Sequence, residues 1–162
     1  LLDKHVEQLF HGPARIAVTL AAFGILMGVC DMLGRKDRAL PALDWRACLF
    51  IGFAQALAVV PGVSRSGITI TAGLWLGLKR EDAARFSFLL SVPIVAAAGA
   101  LKLRHLGAEA LTGSFWLGIL VTALTGWLSI KFLLSYFRER GVGVFVAYRV
   151  LLGLFCAAWA LL

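Results

Sequence analysis

Four stretches of the chain are apolar over a length that suits a lipid bilayer, and no other feature constrains the fold as strongly. They cover residues 16–33, 83–101, 114–136 and 142–162. About 20 apolar residues of α-helix cross the hydrocarbon core of a membrane, where only helices and closed barrels satisfy all backbone polar groups. We therefore predict an all-α, polytopic membrane helical bundle over residues 16–162, preceded by an interfacial loop or segment at 1–15.

The amino-acid composition excludes other broad classes. Of the 162 residues, 60% are hydrophobic and 15% are charged, whereas disordered chains are poor in apolar residues and soluble domains carry about 25% charged residues. The formal net charge is +7, but Lys and Arg form no stripe along one helix face, as nucleic-acid binding would require. We expect a membrane partner and no nucleic acid.

The segment 46–78 is apolar, but neither of its halves is long enough to cross the membrane. As helices, residues 46–60 would extend about 22 Å and residues 67–78 about 18 Å, against a hydrocarbon core of about 30 Å. Pro61 and Gly62 interrupt the helix between them. Irregular backbone at this depth persists only where protein or water surrounds it. We therefore predict a re-entrant helical hairpin over residues 46–78 whose tip lines a cavity.

Basic residues fall unequally on the two sides of this topology. If the hairpin returns to its own side, one face carries Arg35, Lys36, Arg38, Arg46, Lys79, Arg80, Arg138 and Arg140. The other face carries Lys102 and Arg104. The crowded face is then cytoplasmic by the positive-inside rule. Two full crossings would give the same sidedness, so the hairpin prediction depends on length alone.

The predicted tip carries polar side chains where the second half of the hairpin starts. Residues 61–69 are Pro-Gly-Val-Ser-Arg-Ser-Gly-Ile-Thr, with three hydroxyls and one guanidinium from Ser64 to Thr69. A helix starting near Ser66 directs free N–H groups toward an anion. The planar Arg65 guanidinium matches phosphate oxygens in pairs. The segment therefore predicts a phosphate-binding cradle.

Simpler interpretations stay open for several residues. Ser66 could only cap the helix, and Arg65 could extend to the membrane interface, although ionisable residues inside a membrane are functional by default. Gln55 could hydrogen-bond across the hairpin or be purely structural. Arg149, within the last apolar stretch, could extend to the interface, bind an anionic headgroup or pair with a carboxylate.

Four motifs occur together along the chain. They are Gly52-x-x-Gln55, the segment 61–69, the Ala-Arg-Phe-Ser-Phe-Leu-Leu-x-x-Pro of residues 84–93, and Tyr148-Arg149. Together they resemble the bacterial undecaprenyl-diphosphate phosphatase family of the bacitracin-resistance type. The resemblance implies a bacterial inner-membrane hydrolase that converts undecaprenyl diphosphate to undecaprenyl phosphate and phosphate, recycling the lipid carrier for peptidoglycan synthesis. It also implies an inverted repeat in which two re-entrant tips form the site.

We then predict a role for each candidate site residue. We predict that Arg65 clamps the diphosphate and compensates charge on the transferred phosphoryl group. Ser64 donates to phosphate or acts as a nucleophile, and we favour the donor because no base accompanies it. Thr69 is the third predicted catalytic residue. The predicted substrate-binding residues are Ser66, Gly62, Gly67, Gln55 and Arg149.

The chain lacks the family's first signature, an acidic pair followed by a serine-rich turn that ends in histidine. No Asp, Glu or His occurs between Asp44 and Glu81, whereas phosphate-ester hydrolysis usually needs a base, a nucleophile or a carboxylate-held metal. We therefore expect the C-terminal half of an enzyme, inactive when isolated and completed by an N-terminal half or a second copy. The resemblance implies Mg²⁺ or Ca²⁺ on ligands outside this chain. A phosphorylated-lipid or anion carrier with paired hairpins is the alternative.

Overall fold

The computed structural model describes residues 12–103 and 112–161, and within these ranges the regular structure is helical. The six α-helices are α1 (Pro13–Leu33), α2 (Trp45–Ala56), α3 (Arg65–Trp75), α4 (Arg80–Leu103), α5 (Gly113–Glu139) and α6 (Gly143–Leu161). Short 3₁₀ helices occupy Leu40–Ala42 and Leu57–Val59. Pairing of strand type among the described residues is limited to one isolated bridge between Arg38 and Leu78. The predicted all-α class is confirmed.

Four of these helices, α1, α4, α5 and α6, are long and apolar enough to cross a membrane. Their outer surfaces carry exposed large apolar side chains, such as Val18, Leu89, Leu120 and Leu154, a surface suited to lipid rather than water. The chain is therefore a multi-pass membrane bundle, as predicted.

The predicted loop at residues 1–15 falls largely outside the described residues, as does Arg104 on the predicted far face. The last three residues of that predicted loop, 13–15, are helical, because α1 begins with Pro13, directly after Gly12. Proline is favoured there, since its ring fixes a helical φ and its missing N–H would have no helical acceptor. The first helix thus starts three residues before the predicted span of about 16–33.

α2 and α3 are much shorter than the other helices. The 12 residues of α2 start after Asp44, whose side chain accepts a hydrogen bond from the Ala47 amide at 2.9 Å. The 11 residues of α3 extend about 16 Å. The chain leaves α3 through Gly77, whose φ of +86° is favourable only for glycine. Residues 68–74 of α3 are all buried, so the short helix lies within the bundle.

Both outer ends of the α2–α3 pair lie at one end of the bundle. Arg38, which follows α1, donates its amide to the Gly77 carbonyl and accepts from the Lys79 amide, both at 3.0 Å. The guanidinium of Arg38 also donates to the Ala42 carbonyl, just before α2, at 3.0 Å. The start of α2 and the end of α3 are therefore on the same side, which is the course that a re-entrant hairpin requires.

Two groups of ion pairs join the helices at this same end. Arg80 at the start of α4 donates to both carboxylate oxygens of Asp31 on α1, at 2.6 and 3.0 Å. Glu81 accepts from Arg138 of α5 at 2.7 and 2.9 Å, and from Arg85 at 3.1 Å. These contacts link α1, α4 and α5. We call this region, residues 31–44, 76–81 and 138–142, the charged end.

Small residues let α1 pack closely against α6, the most extensive helix contact in the described chain. A Cβ atom at Gly24 would lie 3.0 Å from the Cβ of Arg149, and one at Gly28 would lie 3.3 Å from the Val146 side chain. Gly153 of α6 faces α1 in the same way, since a Cβ there would lie 2.9 Å from the Ala17 carbonyl oxygen. Close helix approach at small residues is the main source of packing energy inside a membrane.

The pair of Arg80 with Asp31 gives the first prediction. Because Asp31 is only 9% exposed, Arg80→Met leaves a nearly buried carboxylate without its partner, and we expect the free energy of unfolding to fall by about 1–3 kcal/mol. The measurement is the unfolding transition in detergent micelles. Arg85→Met is the control: the Arg85 side chain is 49% exposed, so its loss should change stability by less than about 0.5 kcal/mol. Equal losses in the two variants would contradict the prediction.

Candidate functional site

Between α2 and α3 the chain forms the 3₁₀ turn Leu57–Val59 and then residues 60–64, which are called the tip below. Gly62 has a φ of +93°, and a Cβ there would collide with the hydroxyl of Thr19 on α1. Ser64 has φ +63° and ψ +116°, a region that non-glycine residues rarely adopt. Such strain costs about 1–3 kcal/mol and concentrates at functional sites, where the surroundings enforce it.

Ser64, rather than Ser66, caps α3. Its Oγ accepts a hydrogen bond from the Gly67 amide at 3.3 Å, and the helix starts at Arg65. The helix therefore starts one residue before Ser66, within the predicted region, and the cap that Ser66 could have formed is provided by Ser64. The amides of Arg65 and Ser66 have no backbone acceptor in the described part of the chain. The first turn of α3 thus offers free N–H groups, as an anion site requires.

Side chains from α1 and α6 hold the carbonyl groups of the tip. Thr19 on α1 donates to the Pro61 carbonyl at 2.7 Å. The Nη2 of Arg149 on α6 donates to the carbonyls of Gly62 at 2.7 Å and Val63 at 3.0 Å. Arg149 is only 8% exposed. Its guanidinium therefore does not extend to the membrane interface, and among the described residues it pairs with carbonyls rather than with a carboxylate.

A cavity of about 300 Å³ lies beside the tip, among α1, α3, α4, α5 and α6. One wall is polar and is formed by Ser64, Ser66, Gly67 and Arg149. The other walls are apolar and aromatic, and they include Phe88, Phe137, Phe145 and Tyr148. A polar, cationic wall in an otherwise apolar cavity suits an amphiphile with an anionic head.

The other predicted site residues do not line this cavity. The Arg65 side chain is exposed, and it makes no hydrogen bond or ion pair within the described ranges. Gln55 is half-buried on α2. Gly62 contributes its carbonyl to Arg149, so its part in the site is structural. Within the described part of the chain, the Arg65 guanidinium is therefore unpaired and follows directly on the cap of α3, next to amides without a backbone acceptor.

Thr69, the third predicted catalytic residue, is buried beside α4. It is 1% exposed, and its hydroxyl lies 2.7 Å from the Ser87 hydroxyl of α4 and 3.0 Å from the Arg65 carbonyl. The Thr69 side chain thus turns into the contact between α3 and α4. Its hydroxyl therefore supports the first turn of α3 and does not face the cavity.

Thr19 and Ser87 were not recognised as parts of this site from the sequence. Each carries a hydroxyl inside a membrane-length helix, and such groups commonly hydrogen-bond across helices. That signal was present, but it does not identify the partner. The partners, the Pro61 carbonyl and the Thr69 hydroxyl, depend on how the helices are rotated against each other.

The donors around the tip do not suit a divalent cation. Mg²⁺ and Ca²⁺ prefer carboxylates and other oxygen ligands. The tip and its neighbours offer instead the hydroxyls of Ser64 and Ser66 and the guanidinium groups of Arg65 and Arg149. Within residues 12–103 and 112–161, no group of three His, Cys, Asp or Glu side chains could hold a metal ion. The expected cation, with its ligands outside this chain, stays a prediction.

The helices and the tip together define the class of protein: a multi-pass membrane protein with a broken helical hairpin inside its bundle. The family model described as "Bacitracin resistance protein BacA" matches residues 1–155. The chain therefore belongs to the BacA family, which confirms the resemblance seen in its motifs.

Curated relatives named undecaprenyl-diphosphatase are similar along most of the chain. The one from Moorella thermoacetica is 47% identical over 94% of this chain and 58% of its own length. That from Elusimicrobium minutum is 44% identical over 100% of this chain and 62% of its own length. For Geobacter sulfurreducens the values are 45%, 94% and 58%. The chain spans about three fifths of the length of these relatives.

The strained cap at Ser64 gives the second prediction. Ser64→Ala keeps a Cβ at positive φ and loses the cap, so stability should fall by about 1 kcal/mol. Ser64→Gly also loses the cap but relieves the strain by a similar amount, so it should be the more stable of the two variants. The unfolding midpoint in detergent measures both.

Ser129, exposed in the middle of α5, provides the matched control. There the backbone is helical, and Ser129→Gly should be less stable than Ser129→Ala by about 1 kcal/mol. The same order of alanine and glycine at both positions would contradict the strain assigned to Ser64.

Proposed function

We propose that this chain carries the phosphate-binding part of a membrane phosphatase that hydrolyses undecaprenyl diphosphate to undecaprenyl phosphate and phosphate. The main observation concerns the tip and the first turn of α3: the Ser64 and Ser66 hydroxyls and the Arg149 guanidinium border an apolar cavity. Next to them in the chain lie the exposed Arg65 side chain and two amides that lack a backbone acceptor in the described residues. The reaction is supported by family membership and by the names of the relatives. Since these relatives are named as phosphatases, hydrolysis is favoured over the carrier alternative.

Positive charge at the tip favours the diphosphate headgroup. Arg65 is exposed and unpaired in the described chain, so its planar fork is available for two phosphate oxygens. Arg149 is buried without a carboxylate partner in the described residues, so its charge acts on the cavity that it lines. Ser66 and Gly67 supply a hydroxyl and small backbone surface at the same wall. The adjoining aromatic walls would accept the prenyl end of the lipid.

The hydrolysis consumes one water molecule. Its oxygen attacks the terminal phosphorus, the bond from that phosphorus to the bridging oxygen breaks, and the bridging oxygen leaves on the lipid monophosphate with the bonding electrons. Arg65 would compensate the charge that spreads over the transferred phosphoryl group. The described tip contains no His, Asp or Glu, so the group that accepts the proton of the water is assigned to an N-terminal half or a second copy.

Ser64 acts in this scheme as a hydrogen-bond donor. Its oxygen accepts from the Gly67 amide, which leaves the hydroxyl proton free for a phosphate oxygen. A nucleophilic Ser64 would require a base to remove that proton, and none lies beside it in the described chain. Thr69 contributes indirectly through the first turn of α3, and Gln55 would stabilise the hairpin or the bound headgroup from α2.

The proposed setting is the bacterial inner membrane, with the charged end cytoplasmic. There the product would be recycled as the lipid carrier of peptidoglycan synthesis. The hairpin over residues 46–78 would be re-entrant, with its tip at a mid-membrane depth. A divalent cation, Mg²⁺ or Ca²⁺, would be bound by groups outside this chain, as the family resemblance implies.

Phosphate release from undecaprenyl diphosphate in detergent tests the proposal. We expect little or no phosphate release by the isolated chain. We expect phosphate release when the chain is expressed together with any coding sequence found upstream of Leu1 in the same gene. In the active form, Arg65→Ala should lower kcat about 10²–10³-fold, the effect typical of losing a donor that stabilises transition-state charge.

Arg85→Ala is the matched control, since Arg85 is also an exposed arginine but pairs with Glu81 at the charged end. It should keep kcat within about twofold. Unaltered release by Arg65→Ala would refute the clamp, and rapid turnover by the isolated chain would refute the need for a second part.

A further inference from the structure

We infer that Thr19 and Arg149 are positioning residues that hold the carbonyl side of the tip and thereby orient its N–H side toward the anion. Three successive carbonyls, those of residues 61–63, accept hydrogen bonds from these two side chains at 2.7–3.0 Å. Thr19 approaches from α1 and Arg149 from α6. We call these three contacts the brace. Its geometry stands independently, whereas its consequence for ligand binding rests on the proposed function.

The tip has few contacts of its own that could fix its shape. Within the tip, the Val63 amide donates to the Val60 carbonyl at 3.2 Å. At its start, the Val60 amide donates to the Leu57 carbonyl at 3.1 Å. Yet Gly62 and Ser64 both have positive φ. A strained conformation persists only where its surroundings over-determine it. The brace supplies that restraint immediately before Ser64.

The brace also sets the direction of an amide. In a planar trans peptide the C=O and the following N–H point in opposite directions. With the Val63 carbonyl on Arg149, the Ser64 amide points away from that guanidinium. It precedes the amides of Arg65 and Ser66, which lack acceptors in the described ranges. The carbonyl side of the tip is thus satisfied by the bundle, and its amide side is left for a ligand.

Two glycines form a slot that fits the Arg149 side chain. A Cβ at Gly67 would lie 2.6 Å from Nη1 of Arg149, and one at Gly24 would lie 3.0 Å from its Cβ. The guanidinium is therefore enclosed between α1 and the first turn of α3. Its Nη2 donates to two tip carbonyls and its Nε lies 3.4 Å from the Leu20 carbonyl. Arg149 is used for holding the tip, whereas Arg65, which has no side-chain partner among the described residues, is available for the headgroup.

Amide hydrogen exchange of the chain in detergent tests the brace directly. Thr19→Val removes one donor without changing shape or charge. Arg149→Lys keeps the charge but replaces the planar guanidinium, whose Nη2 donates to both carbonyls, by a shorter side chain with a different donor geometry. Both variants should speed exchange over residues 60–68 at least about tenfold while leaving the charged end unchanged. The matched controls are Thr125→Val, whose hydroxyl bonds only within α5, and Arg85→Lys. Neither should alter exchange at the tip.

Chemical rescue separates a positioning role from lost packing. In Arg149→Ala, millimolar guanidinium ion should enter the slot and slow exchange at the tip again, whereas it should have no effect in Thr19→Val. If Arg149→Ala does not fold, the two milder variants still decide the result. Unchanged exchange at the tip in either Thr19→Val or Arg149→Lys would overturn the inference.

Titration with inorganic pyrophosphate, followed by ³¹P NMR, tests the consequence for the anion. Thr19→Val removes no charge, so a roughly tenfold weaker affinity would support orientation of the amides by the brace. Faster exchange with unaltered pyrophosphate affinity would overturn that link. Weaker affinity in Arg149→Lys without faster exchange would instead place Arg149 on the anion and overturn the inference. Failure of the unaltered chain to bind pyrophosphate would refute the proposed function, while the exchange results would still decide the brace.

Discussion

The structure depends on how backbone polar groups are satisfied where a helix stops inside a membrane bundle. Leaving such groups unpaired in an apolar setting costs several kcal/mol each. The carbonyls of residues 61–63 are satisfied by Thr19 and Arg149, and the Gly67 amide is satisfied by Ser64. The amides at the start of α3 are not satisfied by the described chain. Under the proposed function, this asymmetry turns a break in the helix into an anion-binding site.

The contacts at the charged end help to position the tip, although the two regions lie at opposite ends of α3. Arg149 reaches the tip because α6 packs closely on α1 at Gly24 and Gly28. The position of α1 along the bundle is fixed at the charged end, where its Asp31 binds Arg80 of α4. α3 is enclosed between these elements, with residues 68–74 fully buried. The ion pairs therefore fix the helices that surround α3, which is about 16 Å long, and with them the position of its ends in the bundle.

Local features of the sequence predicted the helices and the break, because both depend on short-range properties. Apolar length predicted the four membrane helices, and Pro61 with Gly62 predicted the interruption. The contacts that shape the site are long-range: Thr19 and Pro61 are 42 positions apart, and Arg149 and Gly62 are 87 apart. They depend on helix register and rotation, which no local pattern encodes. The same limit explains why Thr69 faces Ser87 and not the cavity, whereas the start of α3 one residue before Ser66 lies within the usual uncertainty of a helix boundary.

The lack of acidic groups at the described tip has a physical use under the proposed function. A carboxylate within about 4–6 Å of Arg65 or Arg149 would pair with the guanidinium and compete with a phosphate for its donors. Keeping the clamp on one element and the proton acceptor on another leaves the cationic charge free until the headgroup binds. Hydrolysis would then require both parts to meet around the same phosphorus. A chain that spans about three fifths of its relatives' length can therefore hold a well-formed anion site and still lack the group that activates water.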